Sequence, residues 1–249
     1  MNKLLSRTHR TIVLLTVFSM AMGFLEAAVV FYLRQLYYPE GFVFPLKLMT
    51  TEVLVVEYLR EISTIIMLSA ISIITGKNFP ERFSLFLYTF GIWDIFYYVW
   101  LKVLLNWPSS FLTLDILFLI PVVWVGPVLA PVICSITMIL IAGCIIYFQQ
   151  KGYPVNINMR EWMLLLLGVL IIFSTFVWEY SKIVIKEGFI SSFLALRTNQ
   201  DFQRIVSQYI PIYYNWYLFI LGEVLVLCAL WLFCRRMKST FQNSVMHLP

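Results

Sequence analysis

The chain alternates long apolar runs with short polar connections. A helix needs about 20 mainly apolar residues to cross the roughly 30 Å hydrocarbon core of a bilayer. Six runs reach that length: residues 11–33, 52–75, 83–105, 128–148, 162–183 and 212–233. The pattern predicts an all-α, polytopic integral membrane protein with about six transmembrane helices, and residues 1–249 form a single transmembrane domain.

Residues 111–148 are apolar over 38 positions, too many for one span and too few for two spans with a loop. Four helix-breaking residues interrupt this stretch: Pro121, Gly126, Pro127 and Pro131. Proline removes an amide donor and clashes with the preceding helical turn. We therefore expect residues 111–125 to form a short broken, re-entrant or half-spanning helix, followed by the fourth span.

A further helix is predicted between the fifth and sixth spans. Apolar residues recur at helical spacing in residues 199–210, opposite polar ones. Such a two-sided helix lies on the membrane surface, with its apolar face in the headgroup region.

Composition supports the membrane assignment. Of the 249 residues 61% are hydrophobic and 12% charged, with a mean hydropathy of +0.86. Soluble domains carry about 25% charged residues, so the soluble class is excluded. The net charge of +5 reflects basic residues in the short connections, and no nucleic-acid partner is expected. More of these residues fall on the side of the two tails, which predicts cytoplasmic termini.

One apolar run contains a compact charged group. Residues 52–75 include Glu57, Arg60 and Glu61. Helical spacing puts the two glutamates on one face, with Arg60 three residues after Glu57. Charges within the bilayer cost a few kcal/mol each, so an intramembrane cluster is a hypothesis of a functional site.

Other polar residues occur inside the apolar runs. Asp94, Tyr98 and Lys102 follow each other at four-residue intervals, which places them in one stripe of a helix. Glu26 and Asp115 also interrupt apolar sequence. Because consecutive spans alternate in direction, these residues fall at similar depth. We expect one polar site in the outer half of the bilayer, formed by Glu26, Glu57, Arg60, Glu61, Asp94, Tyr98, Lys102 and Asp115.

The excess of carboxyl groups suggests two interpretations. Mg²⁺ and Ca²⁺ prefer oxygen ligands, so a divalent cation could bind Glu57, Glu61, Asp94 and Asp115. In this view Arg60 pairs with one glutamate and leaves the other for a cation, a proton or a substrate group. Alternatively, Glu57–Arg60 and Asp94–Lys102 are structural ion pairs that fix helix register.

The sequence argues against several classes of site. The two histidines, His9 and His247, lie in the tails, which makes haem and zinc–histidine sites and a Ser-His-Asp triad unexpected. The four cysteines fall in or at the ends of apolar runs without a CxxC motif, as expected of small core residues.

Four segments, YLRQLYYPEGFVFPL, GIWDIFYYVWLK, LTLDILFLIP and GPVLAPV, resemble an uncharacterised group of polytopic bacterial membrane proteins. The resemblance covers roughly residues 20–135. It implies a location in the bacterial inner membrane and implies no mechanism.

Three functions remain open from the sequence. The first is binding or transport of a cation, a proton or a small polar solute. The second is an intramembrane enzyme that acts on a lipid-linked or headgroup substrate, with carboxylates as metal ligands or general base. The third is a non-catalytic subunit or assembly factor of a membrane complex. The expected partners are the lipid bilayer and a lipid or small polar ligand.

Overall fold

The computed structural model describes residues 2–47, 49–120, 122–186, 204–205, 208–211 and 213–246. The described part is mainly helical, with six long helices and one β-hairpin. The helices are α1 (Asn2–Tyr37), α2 (Thr51–Thr75), α3 (Phe79–Leu105), α4 (Leu129–Gln150), α5 (Met159–Lys186) and α6 (Trp216–Met246). Most of the predicted surface helix at 199–210 lies outside the described residues.

Five of these helices are long and apolar enough to cross a membrane. They are α1 over His9–Tyr37, α3, α4, α5 over Met159–Ile185 and α6 over Trp216–Ser239. The predicted all-α polytopic membrane fold is thereby confirmed. The helix α2 forms over the predicted range but is not one of the five, and its crossing of the bilayer stays a prediction.

Neighbouring helices run in alternating directions. The Asn78 side chain just before α3 accepts a hydrogen bond from Gln149 near the end of α4, at 3.2 Å. Arg236, near the membrane end of α6, donates to Glu161 in the first turn of α5 at 2.8 Å. The start of α3, the end of α4 and the start of α5 therefore meet with this part of α6 at one end of the bundle.

The opposite end carries a two-stranded antiparallel hairpin, and we call it the hairpin end. Strands β1 (Leu114–Phe118) and β2 (Trp124–Pro127) pair so that Leu114 lies opposite Pro127. The N–H of Val128 donates to the carbonyl oxygen of Thr113 at 3.0 Å. The chain thus enters and leaves this segment at the same end of the bundle.

The hairpin corrects one prediction. The expected helix at residues 111–125 is wrong, because strands form there, whereas the expectation that this segment does not cross as a straight helix agrees with the pairing. Prolines leave each apolar piece too short for a stable helix, and residues such as Ile116, Phe118 and Val125 favour strands. The strand β2 packs against α4 and α5. A buried strand of this kind appears in sequence as a short apolar run without the alternation of polar and apolar residues.

Glycines allow close approach of two helix pairs. A Cβ atom added to Gly168 of α5 would lie 2.7 Å from the carbonyl oxygen of Gly222 in α6. At Gly23 of α1 it would lie 2.9 Å from the carbonyl oxygen of Trp93 in α3. In membranes small residues let helix backbones approach closely, which strengthens van der Waals packing. These contacts fix α1 against α3 and α5 against α6.

The helix α2 is the least enclosed of the described helices. It packs mainly against α3, while α5 packs against α6 and β2. No extensive contact joins α2 to α5 in the described part of the chain. Side chains of both helices instead line a shared cavity.

Candidate functional site

A cavity of about 600 Å³ lies between the helices and the hairpin. This volume is within the roughly 300–1,000 Å³ typical of small-molecule sites. Eight charged side chains line it: Glu26, Arg34, Glu57, Arg60, Glu61, Asp94, Asp115 and Glu223. They come from four of the helices and β1, so only the folded bundle brings them together.

Seven of the eight residues predicted for the polar site line this cavity, with Tyr98 among them. Lys102 is the exception. Its side chain is exposed, and Nζ donates to the carbonyl oxygens of Asn106 at 3.3 Å and Pro108 at 3.1 Å. Lys102 therefore stabilises the C-terminal end of α3. The predicted Asp94–Lys102 ion pair is wrong, because Lys102 lies outside the cavity.

Arg60 joins two carboxylates from different helices. Its Nε and Nη2 atoms donate to Glu57 of the same helix, at 2.9 and 2.8 Å. Its Nη1 atom donates to Glu26 of α1, which also accepts from the Thr64 hydroxyl at 3.3 Å. The predicted Glu57–Arg60 pair is confirmed, and Glu26 extends it to an acidic triad that ties α2 to α1.

Glu61 has a different partner. Both of its carboxylate oxygens accept from the backbone N–H of Leu119, each at 3.0 Å. Glu61 is therefore bonded to the protein backbone, and its binding of a cation, a proton or a substrate group stays a prediction. This interaction anchors α2 to the segment directly after β1.

Two further carboxylates are bonded to hydroxyl groups of α4. Asp94 of α3 accepts from Ser135 at 2.7 Å, and Glu223 of α6 accepts from Thr137 at 2.9 Å. These bonds satisfy buried polar groups and connect three helices across the cavity wall.

The four carboxylates of the predicted metal site are not gathered into one group in the described part of the chain. Among the described residues, no group of three or more His, Cys, Asp or Glu side chains could hold a metal ion. Glu57, Glu61, Asp94 and Asp115 are bonded instead to four different partners.

The most enclosed charge pair is Arg34 with Asp115. The Arg34 Nη2 atom lies 3.1 Å from Asp115 Oδ1, and the two residues are 7% and 2% exposed. The guanidinium carbon lies 3.8 Å from the Trp107 ring centroid and 4.6 Å from that of Phe42. Asp115 is in β1, outside the membrane-spanning helices; burial raises its pKa to about 6, and the Arg34 charge opposes that rise.

Sequence reasoning left Arg34 and Glu223 out of the predicted site. Arg34 is near the end of an apolar run, where arginines usually contact the membrane surface. One signal could have identified it. Asp115 sits in apolar sequence and needs a cation, and Arg34 is the arginine that the alternating helices bring to the same end.

Another charge pair lies outside the cavity. Glu179 and Lys182, one turn apart in α5, are 2.6 Å from each other, and Lys182 is half exposed. The Tyr209 hydroxyl also donates to Glu179. Burial, together with this hydrogen bond, raises the pKa of Tyr209 to about 12. Glu179 therefore binds both Lys182 of its own helix and Tyr209 of the following segment.

Away from the charged residues the cavity wall is apolar. Phe83, Leu87 and Phe90 of α3 and Leu165 and Phe173 of α5 form much of this part. Lining residues of α3 extend from Phe83 to Tyr98, which is about 22 Å along a helix axis. The cavity is therefore long, with charges toward the hairpin end and aromatic and aliphatic side chains beyond them.

The apolar part of the cavity opens sideways. Leu166, Val169 and Leu170 line the cavity and are also about half exposed on the outer surface of α5. These residues lie in the middle of a membrane-spanning helix. The opening consequently faces the hydrocarbon region of the bilayer.

Comparisons of the chain with models of protein families, with curated proteins and with solved structures find no match.

Proposed function

We propose that this integral membrane protein binds a membrane lipid or a similar amphiphile inside its bundle. The apolar tail enters between α2 and α5, and the polar part lies among the charges at the hairpin end. The observation that carries the proposal is a single cavity that is charged at one end, apolar along its length and open toward the lipid chains.

The dimensions of the cavity support this proposal. One leaflet occupies about half of the 30 Å hydrocarbon core, or roughly 15 Å. The wall from Phe83 to Tyr98 extends for about 22 Å, long enough for the chain of one lipid together with its polar end. Arg34 lies three residues before the end of α1, at a depth that suits a headgroup.

The contacts of the carboxylates favour a lipid over a metal ion or a small hydrophilic solute. Glu26, Glu57 and Glu61 already have protein partners, and most of the remaining wall is apolar. A small solute would leave this apolar surface unused, whereas an amphiphile is complementary to both parts of the cavity.

An enzyme that acts on a lipid headgroup is the second candidate. It is favoured by the carboxylates near the place where a headgroup would lie, since a carboxylate can act as general base. It uses the same binding site, and the binding experiment below therefore tests its first requirement.

The decisive experiment compares two substitutions on α5. Val169 and Leu167 are 48% and 50% exposed, but only Val169 lines the cavity. We expect Val169→Trp to fill the cavity and Leu167→Trp to place the same indole on the outer surface. Native mass spectrometry of the purified full chain, titrated with phospholipid in detergent, measures bound lipid for each variant.

We expect Val169→Trp to reduce bound lipid several-fold and Leu167→Trp to leave it unchanged. Cross-linking with a phospholipid that carries a photoreactive group in its acyl chain should label residues 165–173 in the parent protein. Equal lipid binding by both variants, or labelling spread evenly over the exposed helix surfaces, would contradict the proposal.

A further inference from the structure

The Arg34–Asp115 pair has two polar atoms without a hydrogen-bond partner. Both residues are more than nine-tenths buried, and both line the cavity. Nη2 and Oδ1 form the contact between them, whereas Nη1 of Arg34 and Oδ2 of Asp115 make no hydrogen bond of good geometry in the described structure. The Tyr98 hydroxyl and the backbone N–H of Ile116 are the neighbouring donors of the Asp115 carboxylate. A buried donor or acceptor without a partner costs about 1–3 kcal/mol, so a ligand that satisfies both atoms would be favoured.

Aromatic rings hold the donor in place. The guanidinium carbon of Arg34 lies 3.8 Å from the ring centroid of Trp107 and 4.6 Å from that of Phe42. The two ring centroids are 6.1 Å apart. A guanidinium that is already fixed loses little side-chain entropy when it binds an anionic oxygen. Its planar donors suit a phosphate group in particular.

The acceptor favours a cation. Asp115 provides an unpartnered carboxylate oxygen close to the donor of Arg34. Six carboxylates and two arginines line the cavity, so its charge is acidic overall when these groups are ionised. These carboxylates would repel a ligand whose only charged group is a phosphate. An ammonium group beside the phosphate offsets that repulsion.

We propose that the amphiphile is a phospholipid whose headgroup carries a primary amine, of the phosphoethanolamine type. A phosphate oxygen accepts from Nη1 of Arg34, and the ammonium donates to Oδ2 of Asp115. This inference rests on the proposed lipid binding and adds the chemical class of the headgroup. It assigns recognition to the unpartnered atoms of one buried pair.

The test uses three phospholipids with identical acyl chains and different headgroups. Phosphatidylethanolamine has a phosphate and N–H donors, phosphatidylcholine has a phosphate and a quaternary amine without N–H, and phosphatidylglycerol has no amine. Each is titrated into the purified full chain in detergent. We expect phosphatidylethanolamine to bind about tenfold more tightly than the other two, the effect of one charge-assisted hydrogen bond.

Substitutions assign the two contacts. Asp115→Asn keeps the shape of the side chain and should abolish the preference for the primary amine. Arg34→Lys keeps the charge without the planar fork and should weaken all three lipids about tenfold. Glu179→Gln removes a carboxylate outside the cavity and should change neither the preference for the primary amine nor the affinity for the three lipids. Thermal melts confirm that each variant is folded, and the lipid series on the parent protein needs no variant.

The outcomes separate the two proposals. Equal affinity for the three lipids, still weakened by Val169→Trp, would overturn the headgroup assignment and leave lipid binding intact; a water molecule bridging Arg34 and Asp115 would give this result. Absence of binding by every lipid would overturn the proposed function itself. A preference for phosphatidylethanolamine that persists in Asp115→Asn would overturn the role of Asp115.

Discussion

Replacing Arg60 by methionine should destabilise the bundle far more than replacing either of its partners. Arg60 donates to Glu26 of α1 and Glu57 of α2, and all three side chains are largely buried. Arg60→Met leaves two carboxylates close together without a cation. Removing one partner of a buried ion pair costs about 3–5 kcal/mol.

We expect Glu26→Gln to lower the stability of the protein less than Arg60→Met does. The amide keeps the shape and the acceptor oxygen, and Arg60 retains Glu57 as a full charge partner. We expect a cost of about 1 kcal/mol, typical of a single weakened hydrogen bond. The two variants differ in stability because they change the net charge of the triad in opposite directions. With the carboxylates ionised, that charge becomes more negative in Arg60→Met and neutral in Glu26→Gln.

Thermal melts of the purified protein in detergent measure both variants. For a chain of this size 1 kcal/mol corresponds to about 2–4 °C, so Arg60→Met should lower the midpoint by about 10 °C and Glu26→Gln by a few degrees. Arg160→Met is the control, because that cation is exposed and should shift the midpoint little. At acidic pH the stranded carboxylates bind protons, and the deficit of Arg60→Met should shrink. Equal shifts for Arg60→Met and Glu26→Gln would refute the reasoning.

Two further predictions test the packing and the topology. Gly168→Ala should destabilise the protein by about 1–3 kcal/mol in a thermal melt, because the new Cβ would lie 2.7 Å from a carbonyl oxygen of α6. Gly143→Ala has no heavy atom within 4 Å of its Cβ and should be neutral or stabilising; equal losses would contradict the helix contact. In a cysteine-free background, a membrane-impermeant maleimide should label Cys at Gly41 and Ser110 from one side of the membrane and at Lys77 from the other. Labelling of the cysteines at Gly41 and Lys77 from the same side would show that α2 does not cross.

Apolar run length determined most of the architecture. A backbone in hydrocarbon must satisfy its own hydrogen bonds, so a run of about 20 apolar residues has little choice but to form a helix. This local rule located α1 to α6. It also marked Glu57, Arg60 and Asp94 as unusual, because a charge in an apolar run is costly wherever the partner lies.

Only the tertiary structure decided how those charges are satisfied. Arg60 binds Glu26 across 34 positions of sequence, Arg34 binds Asp115 across 81, and Glu61 accepts from a hairpin backbone amide. Which residues become partners depends on how each helix is rotated and which neighbours it contacts. Neither the hydrophobic period nor the length of an apolar run specifies this. Lys102 shares a stripe with Asp94 in sequence, yet its long side chain reaches the carbonyl groups at the end of α3.

The hairpin and the cavity also depend on packing between elements that are distant in sequence. Apart from Asp115, residues 114–127 are apolar without alternation, and a short apolar run suits a strand or a buried helix equally well until its neighbours are known. The cavity exists because glycine contacts hold α1 to α3 and α5 to α6 while α2 and α5 remain apart. The sequence by itself determined which segments form long apolar helices and which charged residues are costly within them. Packing between distant helices decided which charges meet and where the space for a ligand lies.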